Sequence, residues 1–321
     1  MADQPNIERH HHATLCVGGA QEDYDFMTKV LSLKNVKKTA LYDGVYPIRH
    51  FYYGNDVGEE STVVTCFPMR QSKRKGRRGN DQINAMRLSI PESGVGYWSK
   101  RMKDHGFDPT EGELFGEKYI RFSHPCGIPF ELVGIADDNR APFTGGEVPP
   151  EMAIRGTHGI TVKTREIEVF DEFMTLGWNL QKVASDGSYS RWAFNGQNES
   201  GKLVDVLHEP NEPNGTWTFG EGTIHHCAFQ VKDLDVQSEV KMNMEGLGFT
   251  DTSDVKDRGY FWSIYVRTPA GALFEATVSK PEGMLIDEPY EELGASLQVP
   301  PVFQDRKQEI IDFLNQEPLI Y

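Results

Sequence analysis

The chain has 321 residues, 38% of them hydrophobic and 25% charged, and no apolar run approaches the roughly 20 residues of a membrane-spanning helix, so a helical membrane protein is excluded. A formal net charge of -15 repels phosphate backbones and argues against nucleic acid as a partner. Four cysteines without a C-x-x-C pair argue against a zinc-thiolate or disulfide framework, and the first residues show no basic-then-apolar leader, so a soluble, cytoplasmic protein with free thiols is expected.

In chain order, the first element is HHHATLCV at residues 10–17, an alternating half-buried strand with histidines at its leading edge. A helical face follows, carried by Phe26, Met27, Val30 and Leu31. Residues 70–78, RQSKRKGRR, place six positive charges between two predicted strands; they read as a solvated loop, with guidance of an anionic ligand or contact with an acidic subunit as the alternatives. The next strand is QINAMRLSI at 82–90, which lacks the histidine, followed by a helix with Val95, Trp98 and Met102 on one face. Gly106-Phe107 stops that helix, the glycine supplying a left-handed cap and the aromatic returning to the core.

HPCGIPFEL at 124–132 closes this second unit, and residues 135–155, rich in proline, glycine and acids, form a linker. A third unit runs from THGITVKT at 157–164 through a helix with Val169, Phe170, Phe173 and Met174 and a Gly177-Trp178 stop to SGKLVDVL at 200–207. The fourth runs from IHHCAFQV at 224–231 through Leu234, Val236, Val240 and Met244 and a Gly248-Phe249 stop to TPAGALFEA at 268–276. A proline-punctuated tail with a short helix near 306–315 is expected to cover a barrel or a neighbouring subunit.

HPCGIPFEL and TPAGALFEA share Pro-x-Gly-x-x-Phe-Glu without a gap, and the third unit keeps Gly201 with Asp205 in place of the glutamate. The chain therefore reads as an internal repeat: an α+β protein of four βαβββ modules at roughly 10–70, 82–135, 156–209 and 223–279, within segments 1–70, 71–145, 146–215 and 216–280, plus an arm at 281–321. One such module exposes an apolar sheet face and must pair to bury it, giving two open β-barrels.

The first-strand histidines His12, His158 and His226 and the last-strand carboxylates Glu131, Asp205 and Glu275 are metal-ligand types at matching places. If modules three and four pair, His158, Asp205, His226 and Glu275 give four ligands, suited to a Lewis-acid metal in a glyoxalase-like isomerase. If modules one and four pair, His12, His226 and Glu275 form a two-histidine, one-carboxylate triad whose open positions suit Fe(II) and oxygen. The doublets His11-His12 and His225-His226 favour the second arrangement, since successive strand residues face opposite ways and one of each pair can ligate while its neighbour points elsewhere or lines the rim. Thr14 points the same way as His12, and Arg258, Tyr260 and Tyr265 are further candidates for proton donation or stabilisation of anions.

The HH-x-T start at His11 to Thr14, AQEDYDF at 20–26, LHEP at 207–210, EGTIHHCAF at 221–229 and RGYFWSIYVRTPAGALFEAT at 258–277 together resemble the vicinal oxygen chelate superfamily, and within it the hydroquinone-cleaving dioxygenases. The resemblance covers nearly the whole chain. It implies that modules one and four share the active barrel and modules two and three form the other. It further implies Fe(II), with Mn(II) as a substitute, on His12, His226 and Glu275, with supporting roles for His11, Thr14, His225, Arg258 and Tyr265. The implied reaction is O2-dependent opening of a hydroquinone between C1 and C2, by a homo-oligomer, dimer or tetramer. A catechol-cleaving enzyme would use the same triad; a metal-free binding protein of this fold would not need it. Where the family usually has isoleucine this chain has Ala13, a departure expected to enlarge the space beside the site.

Overall fold

The computed structural model describes residues 6–42 and 45–320. Module one supplies β1 (Ile7–Val17), β2 (Lys34–Tyr42), β3 (Pro47–Gly54) and β4 (Val63–Pro68); module two supplies β5 (Gln82–Pro91), β6 (Thr110–Leu114), β7 (Glu117–Ser123) and β8 (Pro129–Ile135). Module three supplies β9 (Gly156–Thr164), β10 (Leu180–Asp186), β11 (Tyr189–Phe194) and β12 (Leu203–His208). Module four supplies β13 (Thr223–Val231), β14 (Lys256–Asp257), β15 (Phe261–Arg267) and β16 (Leu273–Ser279), and the arm adds β17 (Leu297–Gln298).

These strands form two curled half-barrel sheets of an α+β fold. One has the order β14-β15-β16-β13-β1-β4-β3-β2-β17, the other β10-β11-β12-β9-β5-β8-β7-β6. The seam of the first is the antiparallel β1–β13 ladder, and that of the second is the antiparallel β5–β9 ladder. Strands of modules one and four therefore share one sheet, and strands of modules two and three the other.

Both seams carry bulges at matching places. On β1, His10 faces Phe229 and His12 faces Ala228, so His11 is an extra residue; on β13, Thr14 faces His226 and Leu15 faces Ile224, so His225 is extra. The second seam repeats the pattern with Asn84 and His158 as the extra residues. A bulge breaks strict alternation and re-aims a side chain. This is why the Nδ1 atoms of His11 and His12 meet at 2.8 Å, as do those of His225 and His226. Neighbours on an unbroken strand would face opposite ways; the bulges instead turn each neighbour onto its ligand-type partner, and His11 also lines a cleft at the edge of the barrel.

The helices lie against the outer sheet faces and bury Phe26, Met27, Trp98, Met102, Phe170, Phe173, Met174, Val240 and Met244 in one continuous core. They are α1 (Ala20–Asp25), α2 (Val95–Asp104), α3 (Ile167–Glu172) and α4 (Leu234–Gly246). The first and third run on into π turns at Phe26–Val30 and Phe173–Gly177, a second trace of the repeat. Val169 and Leu234, expected on the buried faces, are 49% and 45% exposed. Each stands near the start of its helix, before the chain has settled onto the sheet. The Asp233 side chain caps α4 by accepting from the Val236 N–H at 3.0 Å.

Gly106 and Gly248 have φ of +82° and +96° and form the expected left-handed caps. Gly177 does not: the π turn carries the chain on, and Asn179 takes the positive φ of 54°. Gly177 is small for another reason, since a Cβ there would lie 2.7 Å from Met244 Cε on α4.

Beyond β16 the arm closes the first half-barrel. β17 pairs with β2, and α5 (Lys307–Leu314) buries Ile310 and Leu314 against Ala40. Lys37, fully buried on β2, is neutralised by Asp287 and Glu288 of the arm at 2.5 Å each, as a buried ammonium requires. The basic segment is a loop with Arg70, Lys73, Lys75, Arg77 and Arg78 exposed, as expected, and is held at two points: Arg70 pairs with Glu22 at 2.8 Å, and Arg77 donates to the Asn214 carbonyl at 3.2 Å.

Candidate active site

β1, β13 and β16 bring three electron-rich atoms together inside the first half-barrel. The Nε2 atoms of His12 and His226 are 3.3 Å apart, and Glu275 Oε2 lies 2.9 Å from His226 Nε2 and 3.9 Å from His12 Nε2. All three residues are buried, and they form the only His/Cys/Asp/Glu group among the described residues placed to hold a metal ion. Glu275 Oε1 accepts from Thr277 at 2.9 Å, whereas the buried Oε2 has no hydrogen-bond partner among the protein's donors. Two imidazole nitrogens and an unpartnered carboxylate oxygen facing one another are a donor set that a divalent cation satisfies. Burial pushes the Glu275 carboxyl up, but the facing His226 and His12 hold it well below the usual carboxylate range.

A hydrogen-bonded chain leads away from this centre. Thr14 Oγ1 lies 2.8 Å from His226 Nε2 and 2.6 Å from Thr65 Oγ1; Thr65 Oγ1 is 3.0 Å from His50 Nε2, and Tyr52 OH is 3.2 Å from His50 Nδ1. Burial lowers His50 well below its ordinary value, so the ring is neutral near neutral pH. On the other side, Arg258 Nε donates to Tyr265 OH at 2.9 Å, and the Tyr265 ring packs 5.7 Å from His226. Burial, and then the Glu275 charge, raise the Tyr265 phenol, which stays protonated. Phe261 packs 5.0 Å from the His12 ring and Phe219 packs 4.2 Å from His225, giving apolar walls beside polar groups, the usual make-up of a small-molecule site.

Sequence reading thus named His11, His12, Thr14, His225, His226, Arg258, Tyr265 and Glu275, and the fold gathers all eight around one centre. Tyr260 lies elsewhere, its hydroxyl donating to Asp287 of the arm at 2.8 Å. Ala13 packs in the core between sheet and helices, on the face away from Thr14, and so leaves the space beside the site unaltered. Thr65, His50 and Tyr52 were missed. The signal for them was positional: Tyr52 faces Thr65 on the β3–β4 ladder as Tyr265 faces Glu275 on β15–β16.

The second half-barrel answers the four-ligand alternative. His158 and Asp205 belong to β9 and β12 of the other sheet, so they do not join His226 and Glu275. At the places of His12 and His226 this barrel has Ala85 and Gly159, the residues that follow its two bulges. At the place of Thr14 it has Arg87, which donates to Glu131 at 2.7 Å and also pairs with Asp205. Arg191 joins Asp205 to Glu117 at 2.8 Å each, and His158 Nε2 lies 3.1 Å from Glu117. Guanidinium groups stand where the first barrel could hold a metal.

No family model matches the chain. Chlorohydroquinone/hydroquinone 1,2-dioxygenase of Sphingobium indicum is 43% identical over 317 residues, covering 98% of both chains. The chain belongs to the ring-cleaving dioxygenases. MhqO of Bacillus subtilis, assigned as another such dioxygenase, is 31% identical over 94% of this chain and 93% of its own. The crystal structure of an assigned dioxygenase from the same bacterium superposes with a TM-score of 0.88 at 30% identity, covering 96% and 97% of the two chains. Glyoxalase I from Zea mays, at 14% identity and a TM-score of 0.61 over 84% of this chain and 92% of its own, shares the fold. No helix among the described residues is long and apolar enough to cross a membrane.

Proposed function

We propose that this dioxygenase opens a hydroquinone ring, plain or carrying chloro or alkyl groups, between C1 and C2 with O2, using Fe(II) held by His12, His226 and Glu275. The observation that carries the reading is the two-histidine, one-carboxylate set in a lumen shared with Tyr265 and Arg258; the substrate class is taken from the Sphingobium relative. When bound, the ion supplies adjacent open positions for an aromatic hydroxyl and O2, and a path for electrons between them. Mn(II) suits the same ligands.

The protein's share is positioning and proton control. With His226 Nε2 engaged as a ligand, the Thr14 hydroxyl proton is released from it and turns toward the substrate oxygen, while Thr65 and His50 hold the Thr14 oxygen in place. The Tyr265 hydroxyl, oriented by Arg258, donates to oxygen that becomes anionic during cleavage, and the fixed Arg258 charge stabilises it. His11 and His225 orient the ligand rings, and His225 assists removal of the substrate's hydroxyl proton. The described cysteines are free, in keeping with a cytoplasmic location.

The test is oxygen uptake by the anaerobically Fe(II)-loaded protein on adding hydroquinone, chlorohydroquinone, methylhydroquinone or catechol, with ultraviolet spectra of the products. One O2 consumed per para-diol with loss of the aromatic band is the expected result. Preference for catechol would move the reading to ortho-diol cleavage, and no uptake with any diol despite bound iron would overturn it.

A further inference from the structure

His11 is bonded on both sides. Its Nδ1 meets His12 Nδ1 at 2.8 Å, and its Nε2 lies 2.8 Å from Ser279 Oγ; Ser279 in turn donates to Glu60 Oε1 at 2.6 Å. Ser279 ends β16 and Glu60 lies in the loop before β4, so the chain joins the sheet to a loop of module one. Glu60 and His11 line a cleft of about 200 Å³ between residues 57–60 and 279–285, so the outer end of the chain is open to solvent.

The order of protons along this chain is forced. A carboxylate has no proton to give, so Ser279 must donate to Glu60, as its geometry shows. A hydroxyl has one proton, so Ser279 can meet His11 only as an acceptor, and His11 Nε2 carries the hydrogen. A neutral imidazole has one N–H, so His11 Nδ1 is a lone pair and His12 Nδ1 must carry the hydrogen between them. His12 Nε2 is then left as a lone pair, facing Glu275 and His226.

We infer that Glu60 is a positioning residue that fixes the metal-binding tautomer of His12, acting through Ser279 and His11. The inference rests on the ligand assignment made above. Without Glu60, the Ser279 proton is free to turn to His11 Nε2. Both histidines can then reverse, which places a hydrogen on His12 Nε2 where a cation must sit. The second ligand lacks such a device: His225 is flanked by the Phe67 and Phe219 rings, and among the described residues no carboxylate is hydrogen-bonded to it. The control therefore acts on one ligand of the two.

The experiment titrates Zn(II) into the wild type, Glu60→Ala, Ser279→Ala and His12→Ala, and reads imidazole tautomers of the metal-free proteins by nitrogen-15 NMR. Zn(II) is used because it is diamagnetic. Expected are one ion per wild-type chain, loss of binding in His12→Ala, and affinities about 10- to 100-fold weaker in Glu60→Ala and Ser279→Ala, with His12 losing its single Nδ1-protonated tautomer in both. A merely structural role would leave that tautomer signature in place. Wild-type binding with unchanged affinity and unchanged His12 tautomer in both variants would overturn the inference alone. A wild type that binds no ion, or a His12→Ala that binds normally, would overturn the ligand assignment and the inference with it.

Discussion

Gly159 holds in the second half-barrel the place that His226 holds in the first, each following a bulged histidine on the seam strand of its sheet. A Cβ at Gly159 would lie 2.7 Å from the Leu203 carbonyl oxygen, and the lumen before it is filled by Arg87 and Arg191. The dioxygenase is therefore expected to bind one metal ion per chain, measurable by elemental analysis of the loaded protein. Gly159→His should not create a second site; overpacking should instead destabilise the fold by about 1–3 kcal/mol in urea unfolding. Two ions per chain in the variant would contradict this.

Much of this arrangement was readable beforehand, and the unreadable part has identifiable causes. The Pro-x-Gly-x-x-Phe-Glu repeat and the two histidine doublets are side-chain patterns, and they pointed to four modules and to the ligand-type residues. A bulge is a one-residue change of ladder register and leaves no mark in residue type, so alternation did not show that His11 and His225 turn back onto His12 and His226. Module one ends on VVTCFP, with Thr65 where the other modules have a carboxylate, and that absence hid Thr65, His50 and Tyr52 from a search for acids. Gly177 looked like a cap because glycine before an aromatic fits both a left-handed turn and a close helix approach.

Tyr265→Phe removes one hydroxyl from a ring held by packing and leaves Arg258 in place. Loss of one donor to a developing anion typically lowers kcat by about 100-fold or more, and that fall is expected here with KM and thermal stability little changed. Steady-state oxygen uptake and a melting curve check it. Unchanged turnover would remove Tyr265 from the chemistry.

In the second half-barrel, Arg87 is fully buried between Glu131 and Asp205. Arg87→Met leaves two buried carboxylates short of a partner, and breaking such a set typically destabilises by about 3–5 kcal/mol. Since no residue of this cluster reaches the first barrel's triad, activity per folded molecule should persist. Urea unfolding beside active-site titration separates the two effects, and a lost turnover in fully folded protein would show that the barrels are coupled.

The pair between His124 and Asp23 ties module two to α1 of module one, with His124 Nε2 3.2 Å from Asp23 Oδ1 and His124 Nδ1 3.0 Å from Cys126 Sγ. Burial alone would lower this histidine, but the hydrogen bonds to Asp23 and Cys126 raise it to about 9. Its folded pKa thus exceeds the unfolded value near 6.5. The stabilisation is fully present below about pH 6.5 and is lost as pH rises toward 9, because the folded protein must then give up a proton it holds more tightly than the unfolded chain does. His124→Gln keeps a polar group beside Asp23 without the charge. Measured on metal-free protein, the stability gap between wild type and variant should be largest at pH 6 and shrink by about 1–3 kcal/mol by pH 9. A gap that stays constant across that window would mean the imidazole is neutral in the folded state and bonds Asp23 without a full charge.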